Sequence, residues 1–261
     1  MNTGKSEIIS NENFSADYFK IQFNAPHITI TAQPGQFVHV QITTLYDKIL
    51  RRPFSIFDVN DNGILTLIYK VVGKGTKILS TLSSGTFCDI LGPLGTPYSL
   101  PGIDEYPVIV AGGYGAAATY ILAKRSERKG VLLLGARSTK DLILIEEYKQ
   151  LGFDVKVTTE DGSYGSKGLI TSLLESYFDT NDNGKIKLYG CGPNPMMLAM
   201  VRMATKYNQK LQLSFDHEMC CGIGACYACV IKVKDSETDN PWKYARTCKD
   251  GPVFYSDEIF I

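Results

Sequence analysis

The stretch that decides how this chain is organised reads Cys221-Gly-Ile-Gly-Ala-Cys226-Tyr-Ala-Cys229, and a further cysteine follows at Cys248. Three cysteines spaced Cys-x4-Cys-x2-Cys, with a distant fourth, are typical of the plant-type 2Fe–2S site. A loop that carries three thiolates must wrap closely around the cluster, and the glycine and alanine residues between them leave room for that. We therefore predict that Cys221, Cys226, Cys229 and Cys248 ligate an iron–sulfur cluster.

Two other interpretations of these cysteines stay open, a structural zinc site and unreactive buried thiols. Zinc ribbons usually pair two Cys-x2–4-Cys knuckles, and Cys248 has no second cysteine beside it to complete one. A zinc-stabilised binding module is the non-enzymatic alternative. The x4 spacing favours Cys221 as the first ligand, so its neighbour Cys220 is expected to be a bystander.

Residues 214–261, which carry these cysteines, are too few to bury a sufficient core, so a metal centre is expected to stabilise them. In residues 101–213, apolar strand-like runs alternate with segments of helix length, which indicates βαβ units and a parallel sheet covered by helices. The predicted strands are 107–111, 131–136, 153–158, 186–189 and 211–215, and the predicted helices are 115–129, 139–151, 168–178 and 194–207.

Residues 1–100 have the two-residue alternation of half-buried antiparallel strands. The predicted strands cover 17–23, 36–43, 54–59, 64–72 and 86–91, with a short helix over 76–82. Asn60-Asp-Asn-Gly63 is a strong hairpin turn, and the glycines and prolines of 92–97 are expected to end regular structure. The predicted fold is an antiparallel β-barrel (1–100), a parallel α/β domain (101–213) and a small cluster domain (214–261).

The composition is that of a folded, soluble protein, since 44% of the 261 residues are hydrophobic and 21% are charged. Lys plus Arg and Asp plus Glu both total 27, so the formal net charge is zero, which argues against a nucleic-acid-binding protein. No apolar run is long enough to cross a bilayer, and the polar N-terminus lacks the apolar core of a signal peptide. We expect no membrane association and a cytoplasmic location, where cysteines stay reduced.

Two motifs in the predicted barrel indicate a dinucleotide site. Arg51-Arg52-Pro53-Phe54-Ser55 offers guanidinium groups for a pyrophosphate and an aromatic face and a hydroxyl for a ring system, although taken alone it could be an ordinary exposed strand. Ile68-Tyr69-Lys70, followed by Gly73-Lys-Gly75-Thr76, is a strand, a glycine loop and a helix start whose free N–H groups favour anions. The two motifs support each other because they lie on one small barrel.

The α/β region carries weaker nucleotide signals. Ala111-Gly112-Gly113-Tyr114-Gly115 joins a strand to a helix, as a phosphate-binding loop does, but lacks the full Gly-x-Gly-x-x-Gly pattern. Cys191-Gly192-Pro193 ends another parallel strand, where ligands of such sheets bind, and the alternative for Cys191 is a small buried side chain. His27, His39 and His217 show no metal-ligand spacing, and His39 is expected to be a hydrogen-bonded strand residue.

Several of these motifs together resemble the ferredoxin-reductase superfamily. They are Arg52-Pro53-Phe54-Ser55, Gly73-Lys-Gly75-Thr76, Leu91-Gly-Pro-Leu-Gly95, the glycine loop and Tyr189-Gly-Cys-Gly-Pro193. With Thr159-Glu-Asp-Gly-Ser-Tyr-Gly165, the cysteine tail and Cys248-Lys-Asp-Gly-Pro-Val-Phe254, nearly the whole chain resembles the electron-transfer subunits of class 1B dihydroorotate dehydrogenases, the PyrK family.

That resemblance implies an FAD-binding barrel, an NAD-binding domain and a 2Fe–2S domain whose cluster ligands are the four cysteines named above. It implies FAD contacts at Arg52, Pro53, Phe54, Ser55, Ile68, Tyr69, Lys70, Gly75 and Thr76. Weaker NAD contacts are expected at Gly112, Gly113, Gly115, Cys191, Gly192 and Pro193.

In this family the subunit pairs with an FMN-containing catalytic subunit that oxidises dihydroorotate to orotate in pyrimidine synthesis, as a heterotetramer with two copies of each. Electrons then pass through the cluster to FAD and on to NAD⁺, because a flavin can exchange both a hydride and single electrons. No catalytic acid or base for dihydroorotate is expected in this chain.

Two departures from the family pattern bear on function. Ala111 replaces the first glycine of the loop, Tyr114 is bulkier than the usual aliphatic residue, and Ala118 stands where proline is expected. Gly135-Ala-Arg-Ser138 is closer to small subunits of NADH-dependent ferredoxin:NADP oxidoreductases and sulfide dehydrogenases, so a diaphorase subunit of such a complex is the alternative function. Those relatives present aspartate as the first cluster ligand, and Cys221 therefore favours the dihydroorotate family.

Overall fold

The computed structural model describes residues 2–42, 50–180 and 184–261. Its first part contains strands β1 (Asn2–Ser15), β2 (Tyr18–Asn24), β3 (Phe37–Gln41), β4 (Arg52–Ser55), β5 (Asp58–Val59), β6 (Ile64–Lys70) and β7 (Phe87–Leu94), with short helices α1 (Pro26–Thr29) and α2 (Lys74–Leu79). These strands form one antiparallel sheet in the order β4-β3-β7-β1-β2-β6-β5.

The sheet closes on an apolar interior because its strands bury alternate side chains. Strand β7 buries every second residue from Cys88 to Leu94. Cys88 joins Phe23, Val38 and Leu67 of neighbouring strands in one core. Strand β4, at one end of the sheet, also lies against β6 near the other end. The sheet therefore curls into the small antiparallel barrel that the sequence predicts.

Two parts of the barrel differ from the prediction. Strand β1 is unpredicted because its residues are mostly polar and only Ser6 and Ile8 are buried, so backbone pairing with β2 and β7 holds it. Strand β7 runs on to Leu94 through the segment predicted to end regular structure, and the predicted strand 54–59 is split between β4 and β5. Residue 43, the last of the predicted strand 36–43, lies outside the described residues.

The second part is a parallel sheet with helices on both faces, as predicted. Its elements are β8 (Tyr106–Gly112), α3 (Gly115–Arg125), β9 (Val131–Ala136), a 3-10 helix (Thr139–Asp141), α4 (Ile145–Gln150), β10 (Asp154–Thr159), β11 (Ser166–Lys167), α5 (Ile170–Thr180), β12 (Ile186–Gly192), α6 (Asn194–Lys206) and β13 (Leu211–Phe215). The strand order is β11-β10-β9-β8-β12-β13. No helix in the described part of the chain is long and apolar enough to cross a lipid bilayer.

This sheet has two apolar layers and one crevice. Leu122 of α3 and Tyr148 of α4 belong to the core on one face, while Leu174 of α5 and Met200 of α6 belong to the core on the other. Strand order reverses between β8 and β12, and ligands of open α/β sheets bind beyond the C-terminal ends of strands at such a point. The two predicted nucleotide motifs both begin at these strand ends.

The cysteine tail is attached to both preceding parts. It contains β14 (Val230–Lys234) and β15 (Trp242–Arg246), which form a hairpin, and β16 (Val253–Tyr255), which pairs antiparallel with β13 at the edge of the parallel sheet. Cys229 and Cys248 pack against Phe37 and Leu94 of the barrel. The tail thus shares the cores of its neighbours, and the limits at residues 100 and 213 stay a prediction.

Tyr98 fixes the segment that links the barrel to the parallel sheet. Its side chain is buried, and its hydroxyl donates a hydrogen bond to the carbonyl oxygen of Gly190 at 2.8 Å. Its ring meets the ring of Tyr189 edge-on, with centroids 5.6 Å apart. Because Gly190 lies in β12, this hydrogen bond ties the linker to the middle of the sheet.

We expect Tyr98→Phe to lower the free energy of unfolding by about 1 kcal/mol, the usual net contribution of a buried hydrogen bond. Urea unfolding of the purified chain measures the change. Tyr164→Phe is the control, because Tyr164 is exposed. Equal unfolding curves for the two variants would contradict this role of Tyr98.

Candidate functional site

A cavity of about 840 Å³ lies between the barrel and the parallel sheet. The predicted site residues that line it are Arg52, Pro53, Phe54, Ser55, Ile68, Tyr69, Lys70, Thr76, Gly112, Gly113 and Pro193. Gly75, Gly115, Cys191 and Gly192 are not part of this lining. The structure therefore brings motifs from two domains, far apart in sequence, to one cavity.

The two arginines at the start of β4 have different surroundings. Arg51 Nη1 pairs with Asp89 Oδ1 at 2.5 Å and also donates to the Asp89 carbonyl oxygen at 2.9 Å. Arg52 lines the cavity, where its Nη1 donates to the carbonyl oxygen of Leu50 at 2.6 Å. One guanidinium group, that of Arg52, therefore faces the cavity, rather than the predicted pair.

Strand β6 turns alternate side chains towards the barrel interior and the second domain. The ring of Tyr69 lies inside the barrel, 5.7 Å from the ring of Phe19, and its hydroxyl donates to Asn11 Oδ1 at 3.0 Å. Burial raises the pKa of Tyr69 above its usual value. Ile68 instead packs with the core of the second domain. The Tyr69 side chain thus packs in the barrel core, and its hydroxyl is hydrogen-bonded within the barrel.

Lys70 connects the two domains across the cavity. Its Nζ pairs with Asp141 Oδ1 at 2.6 Å and lies 5.2 Å from the centre of the Tyr18 ring. The hydrogen bond to Asp141 raises the pKa of Lys70 above its ordinary value. Lys70 therefore stays cationic at neutral pH and places a fixed positive charge on the cavity wall.

Thr76 organises the glycine loop that precedes α2. Its hydroxyl oxygen accepts hydrogen bonds from the N–H groups of Val72 at 3.0 Å and Gly73 at 3.2 Å. A Cβ on Gly75 would lie only 3.0 Å from Arg52 Nε. Gly75 thus supports the position of Arg52 although it does not itself line the cavity.

Glycines allow the ends of β8 and β12 to approach each other closely. A Cβ on Gly115 would overlap the carbonyl oxygen of Cys191, and one on Gly112 would lie 2.9 Å from Pro193 Cδ. The Cys191 thiol is buried, and desolvation raises its pKa to about 12. Gly112, Gly113 and Pro193 therefore border the cavity, while Cys191 and Gly115 pack behind its wall.

Asp216 is a cavity residue that the sequence-based prediction missed. It directly follows β13, at the same C-terminal edge of the sheet as the glycine loops, and that position was the signal that could have identified it. Desolvation by the surrounding protein raises the pKa of its carboxyl group, and interaction with the Tyr114 hydroxyl opposes that rise. The cavity wall thus includes a carboxyl group whose pKa is raised above its ordinary value. Arg137, Asp141 and Glu160 also line the cavity.

The four predicted metal ligands lie together as two pairs of thiols. The thiol of Cys221 interacts with that of Cys226, and the thiol of Cys248 with that of Cys229, while Cys220 is exposed. Within residues 2–42, 50–180 and 184–261, no three His, Cys or acidic side chains gather as ligands for one metal ion. Zinc would require four thiolates around a single ion. The four thiolates of a 2Fe–2S cluster are divided between two irons, and two pairs of thiols fit that division.

Backbone amides of the cysteine loop point at sulfur. The N–H of Ala225 donates to Cys221 Sγ at 3.3 Å. Desolvation raises the pKa of Cys221, but hydrogen bonds from Ile223, Cys226 and Ala225 outweigh it, and the pKa falls to about 6. These donors favour the thiolate, which is the form that binds metal.

Arg246 of β15 also contacts the cysteine loop. Its Nη1 donates to the carbonyl oxygen of Gly224 at 3.1 Å, its Nε donates to Asp250 Oδ2 at 2.9 Å, and its guanidinium lies 5.1 Å from the centre of the Tyr227 ring. Gly222 and Gly224 have φ angles of 70° and 84°, in the left-handed region that glycine enters without strain.

The prediction for His39 is wrong. His39 is fully buried in β3, and neither ring nitrogen has a hydrogen-bond partner among the residues that the structure describes. Desolvation and the charge of Arg51 lower its pKa to about 4, so the ring is neutral at pH 7. Its Nε2 would lie 2.7 Å from a Cβ on Gly222. An unpaired buried donor beside a loop without bulky side chains fits a group held by the thiols.

Three domain families match consecutive parts of the chain. Residues 5–98 match "Oxidoreductase FAD-binding domain" and residues 109–202 match "Oxidoreductase NAD-binding domain". Residues 216–260 match "Iron-sulfur cluster binding domain of dihydroorotate dehydrogenase B". These matches confirm the predicted fold class and the predicted set of an FAD, an NAD and an iron–sulfur domain.

Similarity to individual proteins extends over the whole chain. The chain is 34% identical over 257 residues to "Dihydroorotate dehydrogenase B (NAD(+)), electron transfer subunit" of Fusobacterium nucleatum subsp. nucleatum, with 96% of both chains covered. It is 36% identical over 263 residues to the protein of the same name from Caldanaerobacter subterraneus subsp. tengcongensis, with 98% of both covered. Among solved structures, a chain of an NADH-dependent reduced ferredoxin-NADP oxidoreductase superposes with a TM-score of 0.82 at 29% identity, covering 98% of this chain and 89% of that one.

We expect Gly222→Ala to reduce retention of iron by roughly tenfold, because a side chain in the left-handed region costs about 1–2 kcal/mol and the new Cβ would overlap the His39 ring. Iron and acid-labile sulfide per chain after reconstitution measure the effect. Gly102→Ala is the control, since a Cβ there would make only ordinary contact with Glu105. Equal iron content in the two variants would show that the loop tolerates a side chain.

Proposed function

The chain belongs to the family of dihydroorotate dehydrogenase B electron transfer subunits, and on this premise we propose that it carries electrons from the oxidation of dihydroorotate on a partner subunit to NAD⁺. Orotate, the product on the partner, is a precursor of pyrimidine nucleotides. The observation that carries the proposal is the full-length similarity to these subunits, with FAD, NAD and iron–sulfur domains in one chain.

When bound, FAD exchanges a hydride or single electrons, whereas a 2Fe–2S cluster exchanges only single electrons and NAD⁺ only a hydride. The arrangement of this chain's strands supports that order of sites. Pro53 of β4, on the cavity wall, pairs with His39 of β3, and Phe37 of β3 packs against Cys229 and Cys248. Adjacent strands are about 4.8 Å apart, so a single strand separates the cavity wall from the cysteines.

The cavity residues of the barrel would hold FAD. We assign the anion contact to the Arg52 guanidinium, supported by Gly75 and Thr76, because a fixed cation suits a pyrophosphate. Phe54 would offer its ring, and the exposed Ser55 its hydroxyl, to the flavin. The full proposed set is Arg52, Pro53, Phe54, Ser55, Ile68, Tyr69, Lys70, Gly75 and Thr76. Because the Tyr69 side chain is committed to the barrel core, only its main chain is assigned to the cofactor.

The crevice beyond β8 and β12 would receive NAD⁺. Gly112, Gly113 and Pro193 would contact the nucleotide, and Gly115, Cys191 and Gly192 would support them from behind the cavity wall. Tyr114 shares the same wall, and its hydroxyl interacts with the Asp216 carboxyl group.

The cluster ligands would be Cys221, Cys226, Cys229 and Cys248. This loop itself exposes apolar side chains, among them Ile223 and Tyr227, and we propose that an FMN-containing catalytic subunit docks here. We further propose an assembly of two copies of each subunit in the cytoplasm, without nucleic acid or membrane. No residue of this chain is assigned to proton abstraction from dihydroorotate, which belongs to the partner.

The alternative is a diaphorase subunit of another flavin complex, and the similarity to the ferredoxin-NADP oxidoreductase chain supports it. The two functions share the same cofactors and differ in the partner. Purification from the native source separates them, because the alternative requires a partner other than a dihydroorotate oxidase.

Co-expression with a candidate FMN subunit tests the main proposal. We expect a coloured complex that contains FAD, iron and FMN and that reduces NAD⁺ when dihydroorotate is added. The measurements are cofactor content and the appearance of NADH and orotate in equal amounts. A fully loaded complex that forms no orotate would exclude the dihydroorotate function.

We expect Cys226→Ser to lower dihydroorotate-dependent NAD⁺ reduction by about tenfold or more, because a cluster ligand is lost. Oxidation of NADH with a dye as electron acceptor should continue, since the residues of the cavity are unchanged. Cys220→Ser is the matched control and should retain both activities, because Cys220 belongs to neither thiol pair. Loss of both activities in Cys226→Ser would contradict separate sites for the cluster and the flavin.

A further inference from the structure

Buried polar atoms without partners are concentrated next to the cysteine loop. Within the described ranges, five buried side-chain atoms lack a hydrogen-bond partner. Three of these five atoms are the two ring nitrogens of His39 and the hydroxyl oxygen of Thr247. Thr247 precedes Cys248, and its N–H donates to the carbonyl oxygen of Cys229 at 2.9 Å. Because such groups are nearly always satisfied in native proteins, their position next to the cysteine segments points to an acceptor that the group held by the thiols would supply.

The position of His39 indicates where that acceptor lies. Val38 and Val40 face the barrel core, so His39 and Phe37 share the opposite face of β3. On that face Phe37 contacts Cys229 and Cys248, and Leu91, which pairs with His39, packs against the same cluster of residues. The imidazole therefore lies among side chains that touch the second thiol pair.

The imidazole nitrogens of His39 also face the cysteine loop. A Cβ on Gly222 would lie 2.6, 2.7 and 2.8 Å from Cε1, Nε2 and Nδ1 of His39. The part of the ring that carries both nitrogens is thus the part turned towards the loop between Cys221 and Cys226. Residue 222 is a glycine, so it places no side chain between the ring and that loop.

We propose that His39 donates a hydrogen bond from its imidazole N–H to a sulfur atom of the cluster and thereby sets the cluster's reduction potential. This inference rests on the proposed function, since it requires the cluster to be bound. His39 is a positioning residue in this scheme, as it ligates no iron. It is also the residue paired with Pro53 on the cavity wall, so it lies between the two redox sites.

The charge state of the ring is consistent with this role. Burial and the nearby Arg51 keep the imidazole neutral, and a neutral imidazole has one N–H donor and one acceptor nitrogen. Reduction adds negative charge to the cluster sulfurs, so the hydrogen bond is stronger in the reduced state. His39 should therefore raise the potential, in line with the general dependence of cluster potentials on hydrogen bonds to sulfur.

A redox titration followed by electron paramagnetic resonance tests the effect on the potential. We expect His39→Leu to lower the midpoint potential by an amount equivalent to a severalfold change in the reduction equilibrium, where tenfold corresponds to about 59 mV for one electron. His39→Gln, which keeps an N–H donor, should restore part of the shift. An unchanged potential in a fully loaded His39→Leu chain would overturn the proposal.

His27→Leu is the matched control, because His27 Nε2 is also buried without a partner in the described part of the chain but lies against Gly4. We expect its cluster potential to equal that of the unaltered chain. An equal shift in His27→Leu and His39→Leu would overturn the proposal, since it would reflect general loosening of the barrel.

A second measurement leaves His39 unaltered. The chain has three histidines, so His27→Gln combined with His217→Gln leaves His39 as the single site for ¹⁵N-histidine labelling. We expect pulsed electron paramagnetic resonance of the reduced cluster to detect a ¹⁵N coupling, and its absence would overturn the proposal. If the unaltered chain forms no paramagnetic cluster at all, the proposed function itself fails, which this design distinguishes from failure of the hydrogen bond alone.

Discussion

The packing of Cys229 and Cys248 on Phe37 and Leu94 is the contact that attaches the cysteine tail to the barrel. The rest of the arrangement of the three domains depends on it. The tail cannot bury a core by itself, so its thiols must use the outer face of the barrel as their apolar support. The support strand, β3, is hydrogen-bonded to β4, which lines the cavity. Burial of two cysteines therefore also brings the cysteine loop within one strand of the cavity.

The cavity itself is maintained by contacts between the barrel and the parallel sheet. The ring of Phe57 stacks on that of Tyr120 at 4.3 Å between centroids, and Lys124 pairs with Asp58 at 2.6 Å. Phe57 and Ile68 of the barrel belong to the same apolar core as Ile109 of the sheet. Apolar packing of this kind holds two domains at a fixed distance, which a reaction between two bound ligands requires.

Sequence reasoning succeeded where spacing or periodicity carries the information. The cysteine intervals indicated the cluster, and the alternation of apolar runs and helices indicated the parallel sheet. It failed where a residue's role is decided by a distant partner. Strand β1 is polar and is held by backbone pairing, Arg51 is diverted to Asp89, and Asp216 reaches the cavity only because β13 ends there. The unpaired state of His39 follows from the cysteine loop folding over β3, which no local pattern encodes.

The place of β16 has a consequence for the order in which the protein is made. This strand follows the others in chain order, and it completes the edge of the parallel sheet by pairing with β13. Domains fold from the N-terminus as the ribosome releases them, so the barrel and most of the sheet are finished before the tail emerges. The cysteine loop therefore meets a barrel and a parallel sheet whose strands β1 to β13 have already been synthesised. Until β16 docks, the newly made chain exposes an unpaired strand edge that can mispair with other chains.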